Sequence, residues 1–217
     1  MMLQFWKEAA TTLVFKRKSD TWKILMLERS GKSSFMPGMR VFPGGIASKV
    51  DFLPDWLDIL SSTECKFGPS EDYGMQVLNQ DNSDRPSMIK RALTKENWAD
   101  SISANVGFRL CAIRETFEES GILLFKKLPG VKSSFSTDTL QEWRDKVNKN
   151  DMEFLNMCID LNISPDIWNM HEWSNWLTPL HLGGTKKLRY DTMFYAAFLH
   201  DDAVALHDSS EVVSAEV

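Results

Sequence analysis

Only 3 cysteines occur in 217 residues, and no two of them stand at a metal-binding spacing. A scattered, odd set of Cys65, Cys111 and Cys158 predicts reduced thiols in an intracellular compartment, because a secreted disulfide framework uses paired cysteines. Long apolar runs are missing as well: nothing approaches the roughly 18 residues that a membrane-spanning helix requires, so no membrane partner is expected. Glu8 interrupts the N-terminal segment before any apolar leader core develops. There is no basic surplus, since 25 Lys and Arg stand against 30 Asp and Glu for a net charge of −5. That balance excludes broad, nonspecific nucleic-acid binding. Internal repeats and low-complexity tracts are absent. What remains is a chain of 43% hydrophobic content, long enough to bury its own core and expected to form a single domain over 1–217.

Ala9 to Lys16 and Trp22 to Glu28 are rich in β-formers and flank the polar Arg17-Lys18-Ser19-Asp20, which predicts an opening hairpin. Val41-Phe42-Pro43 predicts a short strand ended by Gly44-Gly45, whose missing side chains let backbone approach a phosphate or a metal. Pro54 to Leu60 predicts a short helix opened by proline, Gly68 to Ser87 is polar and turn-rich, and Met88 to Ala99 is helical in pattern. Residues 46–107 are therefore expected to form a mostly helical insertion packed beside the core. Thr139-Leu140-Gln141-Glu142 fits a capping box for a helix to about Lys149, and Asn150 to Glu153 offers a second start. Trp173 to Leu177 and Arg189 to Leu199 are later strands, the second apolar enough to be central. This order predicts an α/β (α+β) fold with a mixed sheet and helices on its faces.

Chemistry concentrates in Arg114-Glu115-Thr116-Phe117-Glu118-Glu119-Ser120-Gly121-Ile122. On a helix Glu115, Glu118 and Glu119 stand at i, i+3 and i+4 and neighbour one another. Leu110, Ile113 and Phe117 form an opposite apolar stripe that docks on the core and turns the carboxylates outward. Gly121 is the expected helix stop, and Ile122-Leu123-Leu124-Phe125 a buried strand behind it. Such a run is either a solvated acidic face or a set of repelling carboxylates gathered around a cation. Hard oxygen donors suit Mg2+ or Mn2+, which bridge to substrate phosphates. Arg114 can pair with Glu118 one turn on. Cys111 would act as a nucleophile only with a histidine base beside it.

These residues resemble the second half of the Nudix box, whose full form is Gly, five residues, Glu, seven residues, then Arg-Glu-U-x-Glu-Glu-x-Gly-U, with U aliphatic. Every charged position of that half matches; Thr116 occupies a U position, a change expected to be tolerated. The first half is displaced. Gly45 is followed after five residues by Asp51, a carboxylate where the family has Glu, and 62 residues instead of seven separate Asp51 from Arg114. A box split this way resembles the motif-19 type of Nudix hydrolases, the peroxisomal coenzyme A diphosphatases. Arg29, Val41-Phe42-Pro43-Gly44-Gly45, Phe108-Arg109, His171-Glu172-Trp173-Ser174, Thr178-Pro179 and Arg189-Tyr190-Asp191-Thr192 continue the likeness.

The resemblance implies a Nudix-type α/β/α sandwich and Mg2+-dependent (or Mn2+-dependent) hydrolysis of the diphosphate bond in coenzyme A or acyl-coenzyme A. It implies Glu115, Glu118 and Arg114 as catalytic residues, and Glu115, Glu118 and Glu119 with the Gly45 carbonyl as metal ligands; Gly45 also reads as a plain turn residue. Arg29, Arg40 and Arg189, with Lys186 and Lys187, are candidates for the substrate phosphates, or ordinary surface charges. A metal-free glutamate or Glu211 is the expected base. His171 and His181 read as acid–base or structural groups, Trp173 and Trp176 as core or base-stacking residues. The same box also serves ADP-ribose, nucleotide sugars and capped RNA ends, and a catalytically silent binding module is the rival class. Family members continue into a further strand and helix, which this chain, ending at Val217, is expected to lack. The family implies the peroxisome, with the mitochondrion as alternative, although Ala215-Glu216-Val217 is no peroxisomal import tripeptide.

Overall fold

The computed structural model describes residues 6–31, 37–62, 102–128, 135–179, 189–199 and 212–216. In chain order the strands are β1 (Trp6–Lys18), β2 (Thr21–Ile24), β3 (Met26–Arg29), β4 (Arg40–Val41), β5 (Gly44–Ile46), β6 (Phe125–Lys127), β7 (Ile163–Pro165), β8 (His171–Leu177), β9 (Arg189–Leu199) and β10 (Val212–Glu216). The helices are α1 (Trp56–Ser61), α2 (Ala104–Ser120), α3 (Thr137–Val147) and α4 (Met152–Asp160). Two short 3-10 turns, Lys49–Phe52 and Ile167–Asn169, complete the described elements.

The long strand β1 organises the main sheet. It runs parallel to β9 from Trp6↔Arg189 to Lys16↔Leu199, and on its other edge pairs antiparallel with β5 near Ala10 and with β2 near Phe15. Between those two partners the Thr12 amide donates to Pro43 O, and the Leu25 amide to Val14 O, each at 2.9 Å, so the edge stays satisfied. β8 lies outside β9 and gives the order β2-β1-β9-β8. The fold is thus a mixed α/β arrangement with a mixed sheet, and β9 is central as its composition predicts. The segment from Trp22 to Glu28 is not one strand. Leu25 is buried and turns its amide back to Val14, so β3 leaves for a second sheet of order β10-β3-β4.

α2 lies against β1 and is buried along most of its length, including Leu110, Ile113 and Phe117 at 0% exposure. The Ser103 hydroxyl accepts from the Asn105 amide at its start, and Gly121 closes it at φ 72°. Beyond α2, Trp56 of α1 and Phe117 each meet Phe154 of α4, at ring separations of 5.8 and 6.3 Å. Arg109 is buried; its Nε donates to Met170 O at 2.9 Å and its Nη2 faces Glu172 Oε1 at 3.5 Å, which pins α2 to β8. Thr116 is also fully buried, and its Oγ1 meets Thr12 Oγ1 at 2.9 Å and Ala112 O at 2.7 Å. A hydroxyl at an aliphatic position is therefore matched by a second hydroxyl from β1. Replacing Thr12 or Thr116 alone by Val should cost about 0.5–1.5 kcal/mol, the worth of one lost hydrogen bond, because the remaining hydroxyl still donates to Ala112 O, while the double replacement should be close to neutral. Urea denaturation of the two single variants and the double variant measures this coupling.

The two halves of the split motif are rejoined by backbone. The Ile102 amide donates to Phe52 O at 3.1 Å, so the chain between them leaves and returns at one point. Closing a longer loop at an existing contact costs little additional entropy. Gly107 is what lets this junction lie flat on α2: a Cβ there would overlap the ring of Phe52, which also packs edge-on against Phe108 at 5.2 Å.

Several sequence expectations are corrected by the structure. α3 opens at Ser136, whose side chain accepts from the Thr139 amide, so Thr139 occupies the third helical position and is not the cap. Asn150 does serve the next helix, its Oδ1 accepting from the Met152 amide at 3.2 Å. Ile122 to Leu124 is buried but not strand; the strand begins at Phe125 and pairs with Pro165. Trp173 and Trp176 are 58% and 66% exposed and so are not core residues. Among the described residues β8 is an edge strand, irregular between Glu172 and Ser174, and aromatic content alone does not reveal an edge. Met88 to Ala99, His181, Lys186, Lys187 and Glu211 lie outside the described residues.

Candidate active site

Arg114 is the hub of the site. It is almost fully buried, and its Nε and Nη2 donate to Asp51 Oδ1 and Oδ2 at 2.8 and 2.9 Å in a two-pronged pair. Its Nη1 donates to Glu115 Oε1 at 2.9 Å and to Glu118 Oε1 at 2.7 Å. Asp51, itself fully buried, also accepts from the Ser48 amide at 2.8 Å and so fixes the 3-10 turn that presents it. The displaced first half of the motif is therefore bound to the second by a buried ion pair across 63 positions of sequence.

The glycines close the other side. The Gly44 amide donates to Glu119 Oε2 at 2.9 Å. A Cβ on Gly45 would overlap the Glu115 carboxylate, 2.5 Å from its Cδ, so a side chain at this position would push the carboxylate off the backbone. The Gly45 carbonyl lies 3.9 Å from Cys111 Sγ. Structure thus brings together Gly45, Asp51, Arg114, Glu115, Glu118 and Glu119. The carboxylates do not project freely into solvent as the helix pattern alone predicts: Glu115 and Glu118 side chains are 13% and 15% exposed. The sequence reading also missed Asp151, at the start of α4, whose Oδ1 lies 4.0 Å from Arg114 Nη1.

Electrostatics follow from this crowding. Burial pushes the Glu115 carboxyl up to about 8, with Glu118, Glu119 and Asp51 adding to the rise and Arg114 opposing it. Burial likewise raises Glu118, against the lowering effect of Arg114. The Cys111 thiol is pushed well up by burial and by Asp51, so it stays protonated and is no nucleophile. Among the described residues no three carboxylates yet converge as a cation cage. The donor chemistry nevertheless fits one: Glu115, Glu118 and Asp51 share a single guanidinium, and partial protonation is how the cluster meets that excess of charge.

The remaining expected residues sit on other elements. Arg29 and Arg40 stand on β3 and β4, Arg40 opposite Glu28, and Arg189 opens β9 with its Nε donating to Thr178 O at 2.9 Å. His171 packs its ring 5.7 Å from that of Phe198, a structural contact in the sheet.

The chain matches the family described as NUDT19 Nudix domain over residues 6–217. It is 34% identical over 246 residues to the acyl-coenzyme A diphosphatase NUDT19 of Xenopus laevis, covering 98% of this chain and 62% of that protein. The Gallus gallus and Homo sapiens proteins of the same name are 36% and 33% identical, over 91% and 95% of this chain and 56% of each relative. The chain therefore spans little more than half the length of these relatives. A crystal structure of a NUDIX hydrolase from Alicyclobacillus acidocaldarius shares the fold at a TM-score of 0.65 and 20% identity, covering 96% of this chain and 77% of that one. A displaced Gly45–Asp51 half, ion-paired to an intact Arg114–Ile122 half and matched along nearly the whole chain, places this protein in the NUDT19 Nudix family.

Proposed function

We propose that this chain hydrolyses the diphosphate bond of coenzyme A and acyl-coenzyme A, giving 3′,5′-ADP and (acyl-)4′-phosphopantetheine, with Mg2+ or Mn2+ as cofactor. The observation that carries the reading is that Glu115 and Glu118 share the Arg114 guanidinium while Glu115 lies against Gly45 and Glu119 accepts from the Gly44 amide. The substrate class is supported by the name of the relatives, acyl-coenzyme A diphosphatase.

Glu115, Glu118 and Glu119, with the Gly45 carbonyl, would hold the cation. When bound, it supplies charge neutralisation at the diphosphate oxygens and acidifies a water. The protein's own part is positional. Asp51 locks Arg114, and Arg114 holds Glu115 and Glu118 on one side of the helix, so their geometry is set before substrate arrives. A glutamate outside the cation's shell would accept the proton of the attacking water. Arg29, Arg40 and the outer nitrogens of Arg189 are the groups proposed for the phosphates of the nucleotide.

Incubation with coenzyme A, acyl-coenzyme A, ADP-ribose and a capped oligonucleotide, with mass analysis of products, tests this. Mg2+-dependent release of 3′,5′-ADP, abolished by EDTA, is expected. Cleavage of ADP-ribose or the cap with coenzyme A left intact would overturn the substrate assignment.

A further inference from the structure

We propose that Arg144, on α3 and outside the Nudix box, is a positioning residue for Glu118; the inference rests on the reading of Glu118 as a cation ligand. Arg144 is fully buried, and its Nε donates to the backbone carbonyl of Glu118 at 2.8 Å, a contact made across 26 positions of sequence.

Glu118 O is one of the last carbonyls of α2, which the helix itself leaves without a partner, so the contact also closes the helix. The neighbouring carbonyls in the last turn of α2 are served locally: Thr116 O accepts from Ser120 Oγ at 2.6 Å, and Phe117 O from the Gly121 amide at 2.8 Å. An exposed lysine on the surface would supply a favourable charge at a helix C-terminus at little cost. Burying a guanidinium instead costs several kcal/mol unless it is well hydrogen-bonded. Here the Nε of that buried group donates to the main chain of a residue whose carboxylate accepts from Arg114 at 2.7 Å.

Glu118 is thus gripped twice, at its backbone by Arg144 and at its carboxylate by Arg114. The connection from α3 to α4 reinforces the arrangement, because it also carries Asp151 to within 4.0 Å of Arg114 Nη1. Two helices from outside the motif therefore approach Glu118 and Arg114, one through a cation on the carbonyl and one through an anion beside the guanidinium. Freed from Arg144, the last turn of α2 can rotate, and Glu118 with it. Groups that orient a metal ligand typically contribute about 10–100-fold to metal affinity or activity.

The test compares Arg144→Met, Arg144→Lys and Val147→Ala in the 217-residue chain, reading Mn2+ affinity by electron paramagnetic resonance and, separately, kcat and KM for coenzyme A. Val147 is buried in the same helix and its apolar side chain can neither donate to the carbonyl nor pair with the carboxylates, so it reports the effect of disturbing α3. Arg144→Met should weaken Mn2+ binding and lower kcat by about tenfold or more, with KM within about twofold. Arg144→Lys should recover most of the loss, since an ammonium can still donate to Glu118 O. Should Arg144→Met not fold, Arg144→Lys and Arg144→Gln are compared instead, and the charged variant must bind Mn2+ more tightly. Mn2+ affinity within twofold of the parent in Arg144→Met, or an equal loss in Val147→Ala, overturns the proposal. A parent that binds Mn2+ but leaves coenzyme A intact overturns the substrate assignment only, and Arg144 is then judged on Mn2+ affinity. A parent that binds no Mn2+ overturns both.

Discussion

Asp51→Ala is expected to destabilise the chain by about 3–5 kcal/mol, the loss that follows when one member of a buried ion pair is removed and the other stays buried. Arg114 is only 2% exposed and spends two of its nitrogens on this carboxylate. Burial opposes the charge on the guanidinium, but Glu115 still favours it and an arginine does not deprotonate in this range, so the residual cation cannot escape its position by losing a proton. Asp51→Ala also removes the acceptor for the Ser48 amide and loosens the turn that carries Phe52 onto α2. The proposed Mg2+-dependent hydrolysis should fall by about a hundredfold or more, because the guanidinium that holds Glu115 and Glu118 is no longer fixed and their geometry is lost. Asp51→Asn should lie between, keeping hydrogen bonds and losing charge. Urea midpoints and initial rates on the same preparations check both effects. A midpoint unchanged from the parent would show that the two halves of the motif are not coupled in this way.

The helix through Leu110 to Glu119, its glycine stop and the carboxylate spacing were readable because they depend on local periodicity, whereas its first turn, Ala104 to Gly107, was read as part of the insertion. β9 was readable for a related reason: a central strand buried on both faces needs an apolar run. The positions of Gly45 and Asp51 followed from family spacing, but their roles did not, since a pairing across 63 positions and a carboxylate resting on a glycine Cα are tertiary facts. Arg144 left one signal that was available and unused. Leu140, Arg144 and Val147 stand at i, i+4 and i+7, so the arginine falls in the apolar phase of an amphipathic helix, where a charge needs a buried partner. Asp151 left none, because an acidic residue at a helix start already satisfies the local preference. Trp173 and Trp176 misled in the opposite sense: aromatic density suggests burial, and only the topology shows that β8 is an edge.

Raising the pH should destabilise the metal-free chain, and Mg2+ should reverse that trend. The Glu115 carboxyl is pushed from an ordinary value of 4.5 up to about 8, chiefly by burial, and Glu118 is raised in the same direction. A carboxyl whose folded value lies above its unfolded one binds more protons in the folded state throughout the interval between them. Its contribution to stability is therefore complete below about pH 4.5 and is lost as pH rises through about 8. In EDTA the thermal midpoint should fall steadily over that window, the opposite of the trend for ion-paired carboxylates such as those that dominate acid denaturation. A cation needs the deprotonated oxygens, so it competes with the proton for the same site. The increase in midpoint caused by a fixed excess of Mg2+ should consequently be small at pH 5.5 and largest above pH 8, because ligand at concentration L binding to the folded state stabilises by RT ln(1 + L/Kd), and Kd falls as the carboxyls deprotonate. Melting curves at four pH values, with EDTA and with Mg2+, decide the matter. An Mg2+ increment independent of pH would mean that the cation binds elsewhere than on Glu115 and Glu118. Glu115→Gln supplies the internal control: it should reduce the pH dependence in EDTA and diminish the Mg2+ increment together, since that carboxylate contributes to both.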